Sequence, residues 1–244
     1  MNSLIRKTSL LAVVALLVAG AAYAGAPSSG TSTRPLVLKV VATNNGGSNG
    51  PDLIDGGGNC IFIIRDAVPN VIPGALVVVG FAGCPQVQLC ANTLPAPLIT
   101  APSPGLVNCT ARTISATTDI NGQVTLRVMG RIDPAAAVTF PTLGLPGPSG
   151  YLGCATVTVT VPGFPAVIYP NIKASAMDID GLNGVDGGDL SAMVADRFVT
   201  DHYRERSDHD GLPDNLISGG DLSVAAGVRL GGGSTVSCSV AGCP

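Results

Sequence analysis

Hydrophobic and polar positions alternate in short runs over the first two thirds of the chain. Val124, Leu126 and Val128 alternate with Gln123, Thr125 and Arg127, and Val157, Val159 and Val161 alternate with threonines. A period of two puts one set of side chains on a single face of a strand, as one buried face requires. The runs Leu36–Val41, Cys60–Arg65, Ala75–Val79, Gln123–Val128 and Ala155–Val161 are rich in β-branched residues and bounded by Gly, Pro or Asn. Each is therefore expected to be a strand. Asn121-Gly122 is a tight-turn pair leading into one of them. The Pro-rich stretch Asn92–Gly105 is expected to be a loop. Several short strands without helical periodicity predict a mainly β fold, a β-sandwich.

The period changes near the C-terminus. Asp178-Ile-Asp-Gly-Leu-Asn-Gly-Val-Asp-Gly-Gly-Asp-Leu-Ser191 and Asp208-His-Asp-Gly-Leu-Pro-Asp-Asn-Leu-Ile-Ser-Gly-Gly-Asp-Leu-Ser223 are two copies of one pattern. Both read D-x-D-G-L and then G-G-D-L-S, the second with two extra residues in the middle. Such repetition marks two structural units of one kind. Each copy runs into a helical spacing. Leu190, Met193, Val194 and Phe198 share one face, and so do Leu222, Ala225, Ala226 and Leu230. Asp189 and Asp221 are expected to cap or open these helices.

Composition places the repeat in context. The chain has 244 residues, 46% hydrophobic and 12% charged, and Glu205 is its only Glu against 15 Asp. Asp is a poorer helix former than Glu, so the excess of Asp points to turns or to a special task. From Gly25 to Pro170 there are six bases and five acids; from Asn171 to Pro244 there are five bases and eleven acids. The boundary between the two regions is expected near Pro170. With acids outnumbering bases, a basic nucleic-acid surface is excluded.

Residues 1–24 combine Arg6 and Lys7, an apolar run Leu10–Gly20 and Ala22-Tyr23-Ala24. This is the layout of a cleaved signal peptide. The apolar run is short of the roughly 20 residues that span a bilayer. The mature chain is expected to begin at about Gly25, to be exported and to have no membrane span. Seven cysteines fit an oxidising compartment and disulfides. Cys84/Cys90 and Cys238/Cys243 are close enough in sequence to bridge easily, but connectivity is open. The number is odd, so one thiol is free or pairs between molecules.

The repeat carries the candidate chemistry. A calcium loop supplies oxygens at alternating positions and closes with a carboxylate at position 12. The first copy places Asp178, Asp180, Asp186 and Asp189 at positions 1, 3, 9 and 12, with the Gly184 carbonyl at position 7. Clustered carboxylates repel one another unless a cation lies between them. The alternative is a pair of Asp/Gly-rich turns without metal. The two histidines, His202 and His209, both lie in the acidic region and form no catalytic triad pattern.

Two loops of this form, each followed by one helix, resemble the dockerin module, a reduced EF-hand family. The resemblance covers about Ala176 to Gly232, within a module expected over 171–233 and followed by a Cys-containing tail over 234–244. It implies two Ca²⁺ ions held by Asp178, Asp180, Asp186 and Asp189 and by Asp208, Asp210 and Asp221, with Asp214 as a further donor. It also implies docking to a cohesin-like domain or surface scaffold, often in polysaccharide-degrading assemblies. The chain departs from the family at Leu182 and Leu212 (position 5) and Asn183 (position 6). It departs again in its longer second loop with Pro213, and in Gly187-Gly188 and Gly219-Gly220 where the family recognises cohesin.

Residues 25–170 resemble bacterial immunoglobulin-like domains of the invasin and intimin type. The likeness rests on Phe62-Ile-Ile-Arg-Asp66, Ile72-Pro-Gly-Ala-Leu-Val77 and Thr118-Asp-Ile-Asn-Gly-Gln-Val-Thr-Leu126. It implies an immunoglobulin-like β-sandwich used as a spacer or adhesive module. The expectation is a secreted or cell-surface bacterial protein, not an enzyme, with a calcium module for extracellular assembly linked to polysaccharide utilisation. The alternative is a structural or adhesive surface protein whose β domain carries binding and whose Asp loops are metal-free. A glycan hydrolase using Asp119 is a third reading.

Overall fold

The computed structural model describes residues 25–41, 60–84, 87–89, 106–126, 128–132, 146–147, 150–151, 153–179, 181, 186–198, 207–209 and 217–230. Among the described residues, twelve strands precede two helices in this order: β1 Val37–Val41, β2 Cys60–Ile63, β3 Leu76–Gly80, β4 Val87–Leu89, β5 Leu106–Asn108, β6 Thr113–Thr117, β7 Gln123–Leu126, β8 Val128–Ile132, β9 Pro146–Gly147, β10 Gly150–Tyr151, β11 Ala155–Thr160, β12 Val167–Ala176, α1 Gly187–Phe198 and α2 Gly219–Leu230. The fold is mainly β, as expected, and its large sheet is curled.

That sheet has eight strands in the order β4-β8-β1-β12-β11-β3-β6-β5. β1 runs parallel to both β8 and β12, and the other neighbours are antiparallel. β2 and β7 form a separate antiparallel ribbon, and β9 and β10 a small hairpin. Alternation works as the sequence requires. In β11 Ala155, Val157 and Val159 are buried while the threonines between them are half-buried. Val77 and Val79 of β3 and Ile114 and Ala116 of β6 face the same way. Phe62, Ile64, Val124 and Leu126 from the ribbon side join these residues in one core. Each such side chain contributes about 1.5–3 kcal/mol on full burial.

The expected strand 123–128 falls on two described strands, β7 and β8. β7 pairs with β2 in the ribbon, whereas β8 pairs with β1 and β4 in the large sheet. The chain thus passes between layers within what reads as one run. β4, β5, β6 and β12 have no counterpart among the expected strands. The expected loop Asn92–Gly105 lies outside the described residues. The expected boundary at Pro170 falls inside β12, whose first half pairs with β11 and whose end pairs with β1 from Lys173 to Ala176. Asn171 takes a left-handed conformation there (φ 59°), which Asn tolerates.

The easy bridge Cys84/Cys90 does not form, because Cys84 is bonded to Cys154 across 70 residues of sequence. Cys154 directly precedes β11 and Cys84 follows β3, so pairing of the two strands brings the sulfurs together. Cys109 is also disulfide-bonded. Cys60 is the free thiol among the described residues and is buried in the core. Burial pushes its pKa up to about 11 despite the nearby Lys39 backbone N–H and charge. No helix among the described residues is long and apolar enough to cross a membrane.

Candidate metal centre

The Asp-rich repeat starts at the end of β12 and is bonded to the sheet. Met177 donates its N–H to the Val40 carbonyl at 3.0 Å, and Ile132 donates to the Asp178 carbonyl at 3.0 Å. Arg131 of β8 reaches the Gly181 carbonyl at 3.1 Å.

The two expected helices are both present, and they begin in the same way. Asp186 is the N-cap of α1, and its Oδ1 accepts the Gly188 N–H at 2.6 Å. Ser218 is the N-cap of α2, and its Oγ accepts the Gly220 N–H at 2.9 Å. Three residues on, Asp189 reaches back to the Asp186 N–H at 2.7 Å, and Asp221 reaches back to the Ser218 N–H at 2.7 Å. Each helix start is therefore a capping box with Asp in the place usually held by Glu or Gln. The second oxygen does something further. Asp189 Oδ1 accepts the Ile179 N–H at 2.5 Å, and Asp221 Oδ1 accepts the His209 N–H at 2.6 Å. The closing Asp of each loop, position 12 in the first copy and position 14 in the longer second, is thereby tied to the residue after position 1.

These bonds explain why Asp is used. A carboxylate can be buried when N–H groups and the helix dipole satisfy it. Asp189 is 3% exposed and Asp221 is 0% exposed. Asp178 and Asp208, at the loop starts, are also fully buried. Burying a carboxylate is costly unless a charge or donors compensate it. At Asp208 the compensation includes Lys173 of β12, whose Nζ lies 2.8 Å from Oδ2. Lys173 was absent from the sequence-derived site, since nothing local to position 173 links it to position 208.

Of the candidate ligands, Asp178, Asp186 and Asp189 of the first loop and Asp208 and Asp221 of the second lie within the described residues. Asp180, Gly184, Asp210 and Asp214 lie outside the described residues. The oxygen-only donors of the first loop suit a hard cation such as Ca²⁺. The second loop has Ser218 where the first has Asp186, and it already holds an ammonium. Among the described residues, no three His, Cys, Asp or Glu side chains form a group that could hold a metal ion.

The buried stripe of α1 differs in part from the expected one. Met193 is buried, but Leu190 and Val194 are 37% and 40% exposed. Asp189, Met193 and Asp196 form the buried stripe of α1 instead. Asp196 accepts the Ser207 hydroxyl at 2.6 Å, linking α1 to the second loop. Met193, Val194 and Arg197 face Ile217, Ser218 and Leu222 across a small groove. His209 is fully buried, and its ring nitrogens make no hydrogen bond among the described residues. Burial holds its pKa down at about 4; Lys39 lowers it further, while Asp221 and Asp196 oppose the shift.

The described acids of the β region, Asp66 and Asp119, serve turns. Asp119 Oδ1 accepts the N–H groups of Asn121 and Gln123 at 2.8 and 2.9 Å. Asp66 Oδ1 accepts those of Val68 and Asn70 at 2.9 and 3.0 Å. No protein-family model, curated protein or solved structure matches the chain.

Proposed function

We propose that this is an exported, non-catalytic protein whose C-terminal repeat is a dockerin-like calcium module for extracellular or cell-surface assembly. The observation that carries the reading is the shared architecture of the two copies. Each has an N-cap oxygen, a closing Asp three residues on that reaches back to the cap, and a bond from that Asp to the loop start, 10 residues back in the first copy and 12 in the second. The calcium ligands that the resemblance implies in the first loop are Asp178, Asp180, the Gly184 carbonyl, Asp186 and Asp189; the three described carboxylates among them do not by themselves form a group that could hold a metal ion. The chemistry of calcium there is charge neutralisation and cross-linking of the loop, not catalysis. A cohesin-like or polysaccharide-bearing scaffold is the partner class the resemblance implies. The curled sheet with its facing ribbon supports an immunoglobulin-like sandwich, although β1 pairs in parallel where that class is antiparallel.

The test is calorimetric titration of the mature full chain with Ca²⁺, repeated on Asp178→Ala. Extracellular calcium modules bind at roughly 10⁻⁴–10⁻³ M. At tenfold that concentration the native state gains about 1.4 kcal/mol, a rise in Tm of about 3–6 °C. The variant should lose both the heat and the shift. No heat and no shift in the parent would overturn the calcium reading.

The Lys173–Asp208 pair favours a second reading for the second loop, in which the sheet's own ammonium takes the cation's place. Asp208→Ala should then leave the calcium stoichiometry unchanged, whereas a metal-bound second loop would lose one equivalent.

A further inference from the structure

The segment 25–33 is held along the end of β2 and the turn after it. Ser28 donates its N–H to the Arg65 carbonyl at 2.9 Å, and Thr33 and Ile63 exchange backbone bonds at 2.9 and 3.0 Å. The Thr31 hydroxyl donates to the Asp66 carbonyl at 2.5 Å. Pro27 bridges to Asp66. Asp66 itself is 5% exposed. Its Oδ1 is taken by the Val68 and Asn70 N–H groups, and its Oδ2 accepts the Asn70 side-chain amide at 3.1 Å and the Gly25 N–H at 3.4 Å. The neighbouring cation Arg65 is engaged elsewhere, donating to the Pro69 carbonyl at 2.9 Å.

Gly25 is also the residue that directly follows the Ala22-Tyr23-Ala24 cleavage pattern. A side chain there is sterically opposed: a Cβ would come within 2.9 Å of Asp66 Cβ and 3.0 Å of Oδ2. We propose that Asp66 is a built receptor for the chain's own α-ammonium at Gly25, formed when the leader is removed. Hydrolysis of the Ala24–Gly25 amide consumes one water, leaves a carboxylate on Ala24 and places an ammonium on Gly25. The weak 3.4 Å amide contact then becomes a charge-assisted hydrogen bond to a nearly buried carboxylate. Leader removal thereby completes a structural contact, fastening the N-terminal segment to β2. The proposal rests on the reading of residues 1–24 as a cleaved leader, and the experiment separates the two.

The chain is produced in two forms, one beginning at Gly25 after removal of the initiator Met and one beginning at Ala24. Each is made with Asp66 and with Asp66→Asn, which keeps the acceptor for Val68 and Asn70 but loses the charge. Thermal unfolding is then compared. The Ala24 form should melt on the order of 2–4 °C lower than the Gly25 form when Asp66 is present, the effect of an ion pair of ordinary worth in a chain of this size. The difference should vanish in Asp66→Asn. An equal difference in both backgrounds, or none in the parent, overturns the pairing. N-terminal sequencing of the exported protein should give Gly25 first. Any other start overturns the leader-coupled part of the proposal, whatever the melting data show.

Discussion

Asp119 and Asp66 are single residues whose charge is used to close turns. The Asp119 carboxylate is held below its ordinary pKa mainly by the Gln123 N–H, with Asn121 adding to it and desolvation opposing. At Asp66 desolvation is the largest effect and raises the pKa. The hydrogen bonds from Asn70, Val68 and Gly25 outweigh it, so the net direction is also down. A carboxylate lowered in the folded state stabilises the fold above its unfolded pKa, about 3.9. That stability is lost as pH falls through the depressed folded value. Tm should therefore be insensitive to these two groups in the neutral range and fall below about pH 4. Asp119→Asn should flatten that acid limb in a Tm-against-pH series followed by circular dichroism. Parallel acid limbs in parent and variant would show that Asp119 does not carry it. The turn itself was readable from Asn121-Gly122. Not readable was why Gly122 is required: at φ 67° a Cβ would meet the Ile64 carbonyl oxygen at 2.8 Å and the Ile72 nitrogen at 2.9 Å. Those contacts are set by strands distant in sequence.

At the scale of elements, β3, β7 and β11 could be read because one face of each is buried and the other is not. β12 could not. Its Pro170 and left-handed Asn171 break the period, and the register against β11 shifts between Ala155 and Val157. Its last residues, Ala174, Ser175 and Ala176, are all buried, so neither alternation nor polarity marks them as a strand. The helices were readable from the repeated G-G-D-L-S, but on α1 Asp189 and Asp196 are buried beside Met193 while Leu190 and Val194 of the expected face are exposed. The candidate site was legible as far as local spacing reaches. Lys173 and Ser207 join it only through the fold. The reciprocal caps lead to a defined expectation. Asp189→Ala removes the acceptor of two backbone N–H groups, so it should cost about 1–2 kcal/mol or more without calcium. The equivalent Asp221→Ala should cost a similar amount. Chemical denaturation in the presence of chelator measures both. A cost near zero for either would mean that the boxes do not stabilise the helices and that the Asp residues serve another purpose.

For the whole molecule, the question is whether the repeat is a tethered module or part of the sheet's folding unit. The contacts argue for the second. β12 leads directly into Met177, and the sheet reaches the repeat through Ile132, Val40, Arg131 and Lys173. Lys173 is only 13% exposed in its side chain and Asp208 not at all, so separating sheet from repeat would leave a carboxylate without its ammonium. Breaking a buried pair in this way costs about 3–5 kcal/mol. That is comparable with the stability of a small unit, so the two regions should not unfold separately. Differential scanning calorimetry of the mature chain, with Cys84–Cys154 intact, should show one transition. Calcium should move that single transition as a whole rather than split it. Two resolved transitions, with calcium raising only one, would mean that the repeat folds on its own and that the sheet contacts are incidental. Lys173 of β12 and Arg131 of β8 thus bring two cations of the sheet to the acidic repeat. The acidic repeat and the nearly neutral sheet are then complementary parts of one electrostatic arrangement.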